Sequence, residues 1–315
     1  MRIAILMSTY NGEFYLKEQI ESILKLDKSV EGLAGGNNPS FEFEIDLWVR
    51  DDGSTDSTII ILNEYMKNGL LNWYGGANVG AARSFIDLIR HCPGYDYYAF
   101  ADQDDCWMHD KLSSAIKLLE NEKKDIPLLY ASNAILVDDT LATLGLAYPF
   151  RPKTDYKLVS CSCGLLGCTM MFNSKLASYI QTHRIPEKMI MHDYYLTLLC
   201  GVLNGIIVYD DFAHIQYRQH GNNVCGISYG IVKKIQTHIQ ALKHKPSVSI
   251  ADQAEELVDM YGEILDLEKK YWLLKVKNYK ISFFSRISLA LSCQYHFYSI
   301  RRAIPMRLRI LLGNM

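Results

Sequence analysis

Tyr97-Tyr98-Ala99-Phe100-Ala101-Asp102-Gln103-Asp104-Asp105 begins as an unbroken apolar and aromatic run and stops in three carboxylates within four positions. The run has the length and composition of a buried strand, and its end is a polar loop. The same succession occurs twice upstream. Arg2-Ile3-Ala4-Ile5-Leu6-Met7 leads into Ser8-Thr9-Tyr10-Asn11-Gly12, and an apolar strand over residues 43–49 leads into Arg50-Asp51-Asp52-Gly53-Ser54-Thr55-Asp56. Helical spacing of apolar residues follows each: Phe14, Leu16, Ile20, Ile23 and Leu24 after the first, residues 58–66 after the second and 111–121 after the third. Strands alternating with helices predict an α/β fold with a mainly parallel, twisted sheet flanked by helices. Ligands of such sheets lie outside the carboxyl ends of the strands, where all three polar clusters fall. One site assembled from three strand ends is expected.

Further along, the pattern predicts a short strand at 72–74, a helix at 81–91, and strands at 128–137, 164–172, 206–208 and 214–218. Helices are expected over 227–242 and 251–280, separated by the break at Lys245-Pro246-Ser247, and a Gly/Asn-rich loop over 32–40. A division just after Asn223 follows, with a domain at 1–223 and a helical C-terminal extension at 224–315. A chain of 315 residues, 49% apolar, can bury one large core and an appendage. Its net charge of -2 lacks the basic footprint that nucleic-acid binding needs. The eight cysteines show no C-x-x-C spacing, which fits a reducing cytoplasm. Cys161, Cys163 and Cys168 read as buried strand and turn residues rather than a metal cluster. The apolar start is too short for a signal-peptide core.

Three adjacent carboxylates at Asp102, Asp104 and Asp105 raise one another's pKa and cost desolvation energy unless a cation offsets them. Mg²⁺ or Mn²⁺ suits such hard oxygen ligands and shares them with substrate phosphates. A solvated acidic turn leading into the helix at Lys111 is the other account, and these residues alone do not choose. In the second cluster Thr55 or Asp56 fits a helix cap, whereas Asp51 or Asp52 at the strand mouth could accept from a nucleobase or ribose. Met191-His192-Asp193-Tyr194-Tyr195 opens a helix and offers a carboxylate as cap or as general base. Tyr217-Arg218-Gln219-His220-Gly221-Asn222-Asn223 ends a strand in polar residues, His220 being either structural or a ligand.

Taken in order, Ser8 to Gly12, Asp51 to Asp56, Asn78-Val79-Gly80-Ala81-Ala82-Arg83 and Asp102-Gln103-Asp104-Asp105 resemble the family 2 inverting glycosyltransferases, which have the nucleotide-sugar-binding GT-A fold. The resemblance covers residues 1–223. It implies nucleobase and ribose contacts from Thr9, Tyr10 and Asp52, and places Arg83 near the diphosphate. Asp102 and Asp104 would form the Asp-x-Asp pair, one on ribose and one on Mg²⁺ or Mn²⁺, with Asp105 an alternative ligand and His220 a further metal or diphosphate candidate. Arg218 is a weaker phosphate candidate. Asp193 matches the family's catalytic base, with His192 a tuning neighbour. The wording of the motifs is similar to bacterial rhamnosyltransferases of cell-wall and capsular polysaccharide assembly, implying dTDP-L-rhamnose as donor and a lipid-linked saccharide as acceptor. A hexosyltransferase using a UDP-sugar and a non-catalytic glycan-binding or scaffold protein are the alternatives. A sugar-nucleotide pyrophosphorylase fits poorly, for the first loop lacks a Gly-rich phosphate cradle. Oligomeric state is left open, a homodimer included.

From Lys269 to the C-terminus there are ten Lys and Arg residues and no Asp or Glu, interleaved with Tyr271, Trp272, Phe283 and Phe284. Residues 281–300 contain Arg286, Gln294 and His296, a poor composition for spanning a bilayer. Basic, aromatic helices of this kind lie on anionic membrane surfaces, and a cytoplasmic protein peripheral to the inner face of the membrane is expected. An ordinary helical cap packed on the catalytic domain is the other account.

Overall fold

The computed structural model of the chain describes residues 1–30, 40–162, 165–221, 246–292 and 300–315. Most of the Gly/Asn-rich loop, Cys163, Asn222, Asn223, the helix expected over 227–242 and residues 293–299 of the basic tail lie outside them. The backbone gathers into two compact units. The first comprises Met1–Pro149, Leu165–Ile185 and Gly205–Asn222, the second Phe150–Gly164, Pro186–Asn204 and Asn223–Met315. Two segments that lie before residue 223 in sequence are thus part of the second unit, and one of them carries Asp193.

The first unit is built on β1 (Arg2–Thr9), β4 (Glu44–Asp51), β5 (Asn72–Gly75), β6 (Tyr97–Asp102), β7 (Cys106–Trp107), β8 (Leu128–Val137), β9 (Thr143–Leu146), β10 (Met171–Asn173) and β11 (Ile206–Arg218). They form one sheet in the order β5-β4-β1-β6-β10-β8-β11-β7, with β9 paired to β8. β2 (Ser29–Val30) and β3 (Phe41–Glu42) make a separate two-stranded ribbon. Helices α1 (Leu16–Leu24), α2 (Thr58–Lys67), α3 (Ala81–His91), α4 (Lys111–Leu119) and α6 (Ser174–Thr182) flank the main sheet; α5 (Tyr156–Val159) is in the second unit. The β1–β4, β1–β6, β4–β5 and β8–β11 ladders are parallel and contain most of the paired residues, while β10 enters antiparallel between β6 and β8. Ile3 to Met7 are wholly buried, as a central parallel strand covered on both faces must be.

Three expectations change. The strand predicted over 164–172 is confined to β10, because Gly167–Thr169 winds into a 3-10 turn ahead of it. The separate strands at 206–208 and 214–218 are one strand, β11, whose register shifts after Asp210 and again after Ala213 keep it paired to β8 while it bends. The long helix over 251–280 is two, α8 (Ile250–Tyr261) and α9 (Leu267–Lys277). Gly262 stands at the end of α8 and Asp266, with extended backbone, at the start of α9. The rest of the second unit, among the described residues, is α7 (His192–Val202), α10 (Phe283–Ser292) and α11 (Ile300–Leu312). No helix among the described residues is long and apolar enough to cross a membrane.

Candidate active site

The register of the sheet sets three strand ends side by side. Thr9 pairs with Asp51 across β1 and β4, and Ser8 pairs with Asp102 across β1 and β6. The three polar clusters therefore leave the sheet at one level, as residues of adjacent parallel strands must when their apolar runs end in register.

The first two loops are laced together. The Asn11 side chain accepts the Thr55 N–H at 2.9 Å, Ser54 Oγ accepts the Asn11 N–H at 2.9 Å, Thr58 Oγ1 accepts the Gly12 N–H at 2.8 Å, and Asp56 accepts the Glu13 N–H at 3.1 Å. Asp56 also accepts the Thr58 N–H at 3.0 Å just ahead of α2, whose N-cap is Ser57, with no side-chain cap bond, rather than Thr55 or Asp56. The two leading aspartates separate here. Asp51 folds its own turn by accepting the Gly53 and Ser54 N–H groups at 3.0 and 2.9 Å. Asp52 is buried and reaches across to the Asn78–Arg83 motif, accepting the N–H groups of Val79 at 2.9 Å and Gly80 at 2.8 Å and pairing with the buried Arg50 guanidinium. Arg50 in turn donates to Asp87 at 3.1 Å. Asp52 thus moors the 78–80 loop that leads into α3, on whose first turn Arg83 is exposed.

Gln103, between the aspartates, ties the acidic loop to β1. Its Oε1 accepts from Thr9 Oγ1 at 2.7 Å and from the Tyr10 N–H at 2.9 Å, and its Nε2 donates to the Tyr10 carbonyl at 3.2 Å. From α1, the buried Gln19 donates to the Asp102 carbonyl at 2.9 Å, and Ser22 Oγ accepts the Trp107 N–H at 3.0 Å. At the end of β11, His220 Nε2 meets Asp104 Oδ2 at 2.7 Å and its ring packs on Tyr15 with centroids 5.1 Å apart. Arg218 has a different setting from a phosphate contact. Its guanidinium is buried over the Tyr15 ring, donating to the Asp104 carbonyl at 2.9 Å, the Asp139 carbonyl at 2.6 Å and the Glu18 carboxylate.

Asp105 points inward. It is fully buried, accepts the Arg218 N–H at 3.2 Å through Oδ1, and has no hydrogen-bond partner on Oδ2. Burial, with Asp104 and Asp102 nearby, holds its carboxyl well above the usual range. One ligand atom each of Asp102, Asp105 and Cys168 lies within 4.8 Å of the others. Lys111, buried against the Trp107 ring and donating to the Cys168 carbonyl, is pushed down to about 8 by that burial. Lys111 lies close enough to act on the Asp105 carboxyl, and of the groups gathered here hard carboxylates fit Mg²⁺ or Mn²⁺ where a thiol does not. Cys168 is therefore part of the wall behind the carboxylates.

Thr9, Tyr10, Asp52, Arg83, Asp102, Asp104, Asp105, Arg218 and His220 all belong to the first unit. Asp193 belongs to the second, in the first turn of α7, half-exposed, with Oδ1 accepting the Tyr194 N–H at 2.6 Å. The chain entering α7 is fastened from α8: buried Glu256 accepts the Glu187 N–H at 3.0 Å, and buried Gln253 accepts the Ile190 N–H at 3.1 Å. His192 is buried, and burial pushes its imidazole down to about 3, so it is neutral near pH 7.

Tyr15, Glu18, Gln19, Arg50, Gln103 and Asp139 were not among the residues the sequence singled out. Gln19 and Ser22 could have been, since they interrupt the apolar face of α1 with polar groups that need partners. Asp139 could not, since nothing local links it to residues 15 and 218.

The family model described as Glycosyl transferase family 2 matches residues 4–179. The dTDP-rhamnosyl transferase RfbG of Shigella flexneri is 28% identical over 239 residues, covering 72% of this chain and 76% of its own length. WfgD of Escherichia coli, a UDP-Glc:alpha-D-GlcNAc-diphosphoundecaprenol beta-1,3-glucosyltransferase, is 24% identical over 196 residues, covering 62% of this chain and 68% of its own. Among solved structures, S. aureus TarS residues 1-349 in complex with UDP-GlcNAc superposes with a TM-score of 0.54 at 15% identity, covering 99% of this chain and 90% of that one. The mannosyltransferase PcManGT of Pyrobaculum calidifontis, with GDP-Man and Mn2+, gives 0.52 at 11% identity, covering 99% and 85%. These two likenesses are of fold.

Proposed function

This chain belongs to glycosyl transferase family 2, and we propose that it is an inverting, metal-dependent enzyme that moves L-rhamnose from dTDP-L-rhamnose to a hydroxyl of a lipid-linked saccharide. The observation that carries the reading is the wiring of the acidic loop. Gln103 joins it to Thr9 and Tyr10, and His220 contacts Asp104, so three motifs far apart in sequence are held together as one set. The similarity to the Shigella dTDP-rhamnosyl transferase supports the donor, and that to the Escherichia coli enzyme acting on a diphosphoundecaprenol-linked sugar supports the acceptor. Assembly of a cell-wall or capsular polysaccharide precursor, at the inner face of the membrane as a peripheral protein, is the setting in which both substrates meet.

In this reading Thr9 and Tyr10 hold the nucleobase and ribose, while Asp52, expected from the sequence to contact them as well, has its carboxylate engaged by Val79, Gly80 and Arg50 and acts by mooring the loop before Arg83, which lies toward the diphosphate. Asp102 and Asp104, with His220, would hold Mg²⁺ or Mn²⁺, Asp105 being the alternative ligand; the ion offsets charge on the departing diphosphate. Asp193 takes the proton from the acceptor hydroxyl as its oxygen attacks the anomeric carbon from the face opposite the nucleotide. The C–O bond to the diphosphate breaks as the new glycosidic bond forms, inverting the centre without a covalent enzyme intermediate. Arg218 positions His220 and Asp104 rather than binding phosphate.

The test is release of nucleoside diphosphate from a panel of sugar nucleotides, with Mg²⁺, Mn²⁺ or EDTA and a lipid-linked saccharide acceptor. Metal-dependent release from dTDP-L-rhamnose alone is expected. Release from a UDP-hexose instead selects the second reading, which the Escherichia coli relative favours, and binding without release from any donor selects a non-catalytic glycan-binding role.

A further inference from the structure

Helices α9 to α11 leave large apolar side chains in solvent. Ile281, Phe283 and Phe284, at the start of α10, are between 61 and 81% exposed, and Leu291 at its far end is 74% exposed. On α11, Ile304, Leu308 and Leu312 are exposed at intervals of four residues, one stripe of a helix whose opposite side buries Met306 and Ile310. Folding has thus used other residues for the core of this unit, Leu289, Ala290 and Trp272 among them, and left these outside. Exposed aromatic and aliphatic groups of this size, close together in the chain, mark an interaction surface.

Charge narrows the partner. Lys280 and Arg307 are exposed beside the apolar groups, and the chain has no acidic residue after Glu268. A second copy meeting this surface about a two-fold axis would bring two copies of one basic, acid-poor patch together. A bilayer of anionic phospholipid offers the phenylalanines an apolar interior and the exposed cations a negatively charged surface. With no spanning helix among the described residues, contact by one face is the geometry available.

We propose that Ile281, Phe283 and Phe284 form a wedge that enters the headgroup and acyl boundary of an anionic membrane, with Lys280 and Arg307 on the phosphate layer. The inference deepens the reading of a lipid-linked acceptor, on which its purpose rests, by naming the surface that meets the lipid.

The experiment is co-sedimentation of the full chain with vesicles of phosphatidylcholine alone and of phosphatidylcholine with phosphatidylglycerol, at low and high salt. Wild type is expected to bind the anionic vesicles and to lose most of that binding at high salt. The Phe283→Ser/Phe284→Ser variant is expected to bind at least tenfold more weakly, following the lost burial of two aromatic side chains, and Lys280→Glu/Arg307→Glu several-fold more weakly. All four side chains are exposed, so circular dichroism melts should match wild type. Wild type that stays in the supernatant, or a serine variant that binds like wild type, overturns the proposal. So does a wild-type dimer in sedimentation velocity that the serine variant dissolves without any vesicle binding. Nucleotide release to a water-soluble acceptor reads the transferase assignment separately and is unaffected by either pair of substitutions.

Discussion

Asp52→Ala removes the acceptor that holds the 78–80 loop. The wild-type carboxylate takes the Val79 N–H at 2.9 Å and the Gly80 N–H at 2.8 Å and pairs with Arg50, both side chains being almost wholly out of water. Breaking a buried ion pair from one side costs about 3–5 kcal/mol, because the remaining charge stays desolvated. Arg50 keeps Asp87 at 3.1 Å and the Ala77 carbonyl at 3.2 Å, so its charge is not stranded. The lower end, about 3 kcal/mol, is therefore expected, a large part of an ordinary domain's stability of about 5–15 kcal/mol. Asp52→Asn keeps the shape and one acceptor but turns an amide N–H toward donors, and should cost less, about 1–2 kcal/mol. Urea unfolding followed by circular dichroism, extrapolated to water, measures both. In the folded fraction, KM for the donor should rise more than kcat falls, because the loop and not the reacting atoms has been disturbed. A loss below about 1 kcal/mol for Asp52→Ala, with donor KM unchanged, refutes the mooring role.

Other outcomes follow from the same geometry. Gly12→Ala puts a methyl group 2.3 Å from Gln103 Oε1 and 3.0 Å from Thr9 Oγ1; displacement of Gln103 should weaken donor binding at least several-fold by calorimetry, and an unchanged Kd counts against the Gln103 link. Asp193→Asn should abolish transfer while donor affinity stays within about twofold, and wild-type turnover would remove the base assignment. Glu256→Ala frees the Glu187 and Lys188 N–H groups ahead of α7 and should lower kcat more than it raises donor KM, with partial rescue in Glu256→Gln; equal loss in both variants would indicate unfolding alone. Two histidines should bend the pH dependence of stability in opposite senses. His192, held at about 3 by burial against an ordinary 6.5, binds its proton in the unfolded chain first, so stability falls as pH drops from 6.5 toward 3, by about 1.4 kcal/mol per pH unit at most. Burial also works against the charge on His214, but its hydrogen bonds to Asp210 and Asp110 and their charges raise it overall. Its contribution is complete below 6.5 and lost as pH rises through its folded value. His192→Gln and His214→Gln should each remove one slope; variants that leave both slopes in place would reject this account.

The strands at 2–7, 43–49, 97–101 and 128–137 were legible because each is a short apolar run ending in a polar cluster, and each forms nearly where the pattern ends. The helix at Ala81–His91 was legible from its periodicity and forms over those residues. The second half of the sheet was harder to read. β10 has only three residues and β11 contains two register shifts, so neither presents a regular alternation of its own. The single long helix expected after residue 251 breaks after Tyr261 and resumes at Leu267, because Ile264 and Leu265 turn back to donate to the Tyr261 carbonyl, a break that a continuing apolar period does not reveal.

What the sequence by itself determined was local: the order of strands and helices, the three polar strand ends, and the residue types able to hold a nucleotide, a divalent ion and a proton. These depend on neighbours in the chain, on hydrophobic period and on turn chemistry. What only the tertiary structure decided was which polar groups are spent on one another. Asp51 closes a turn while Asp52 moors a distant loop, Arg218 braces Glu18, Asp104 and Asp139, and Glu256 fastens the approach to Asp193. A buried donor or acceptor must find a partner, and that partner is set by the packing of elements up to 200 residues apart, which no local pattern contains.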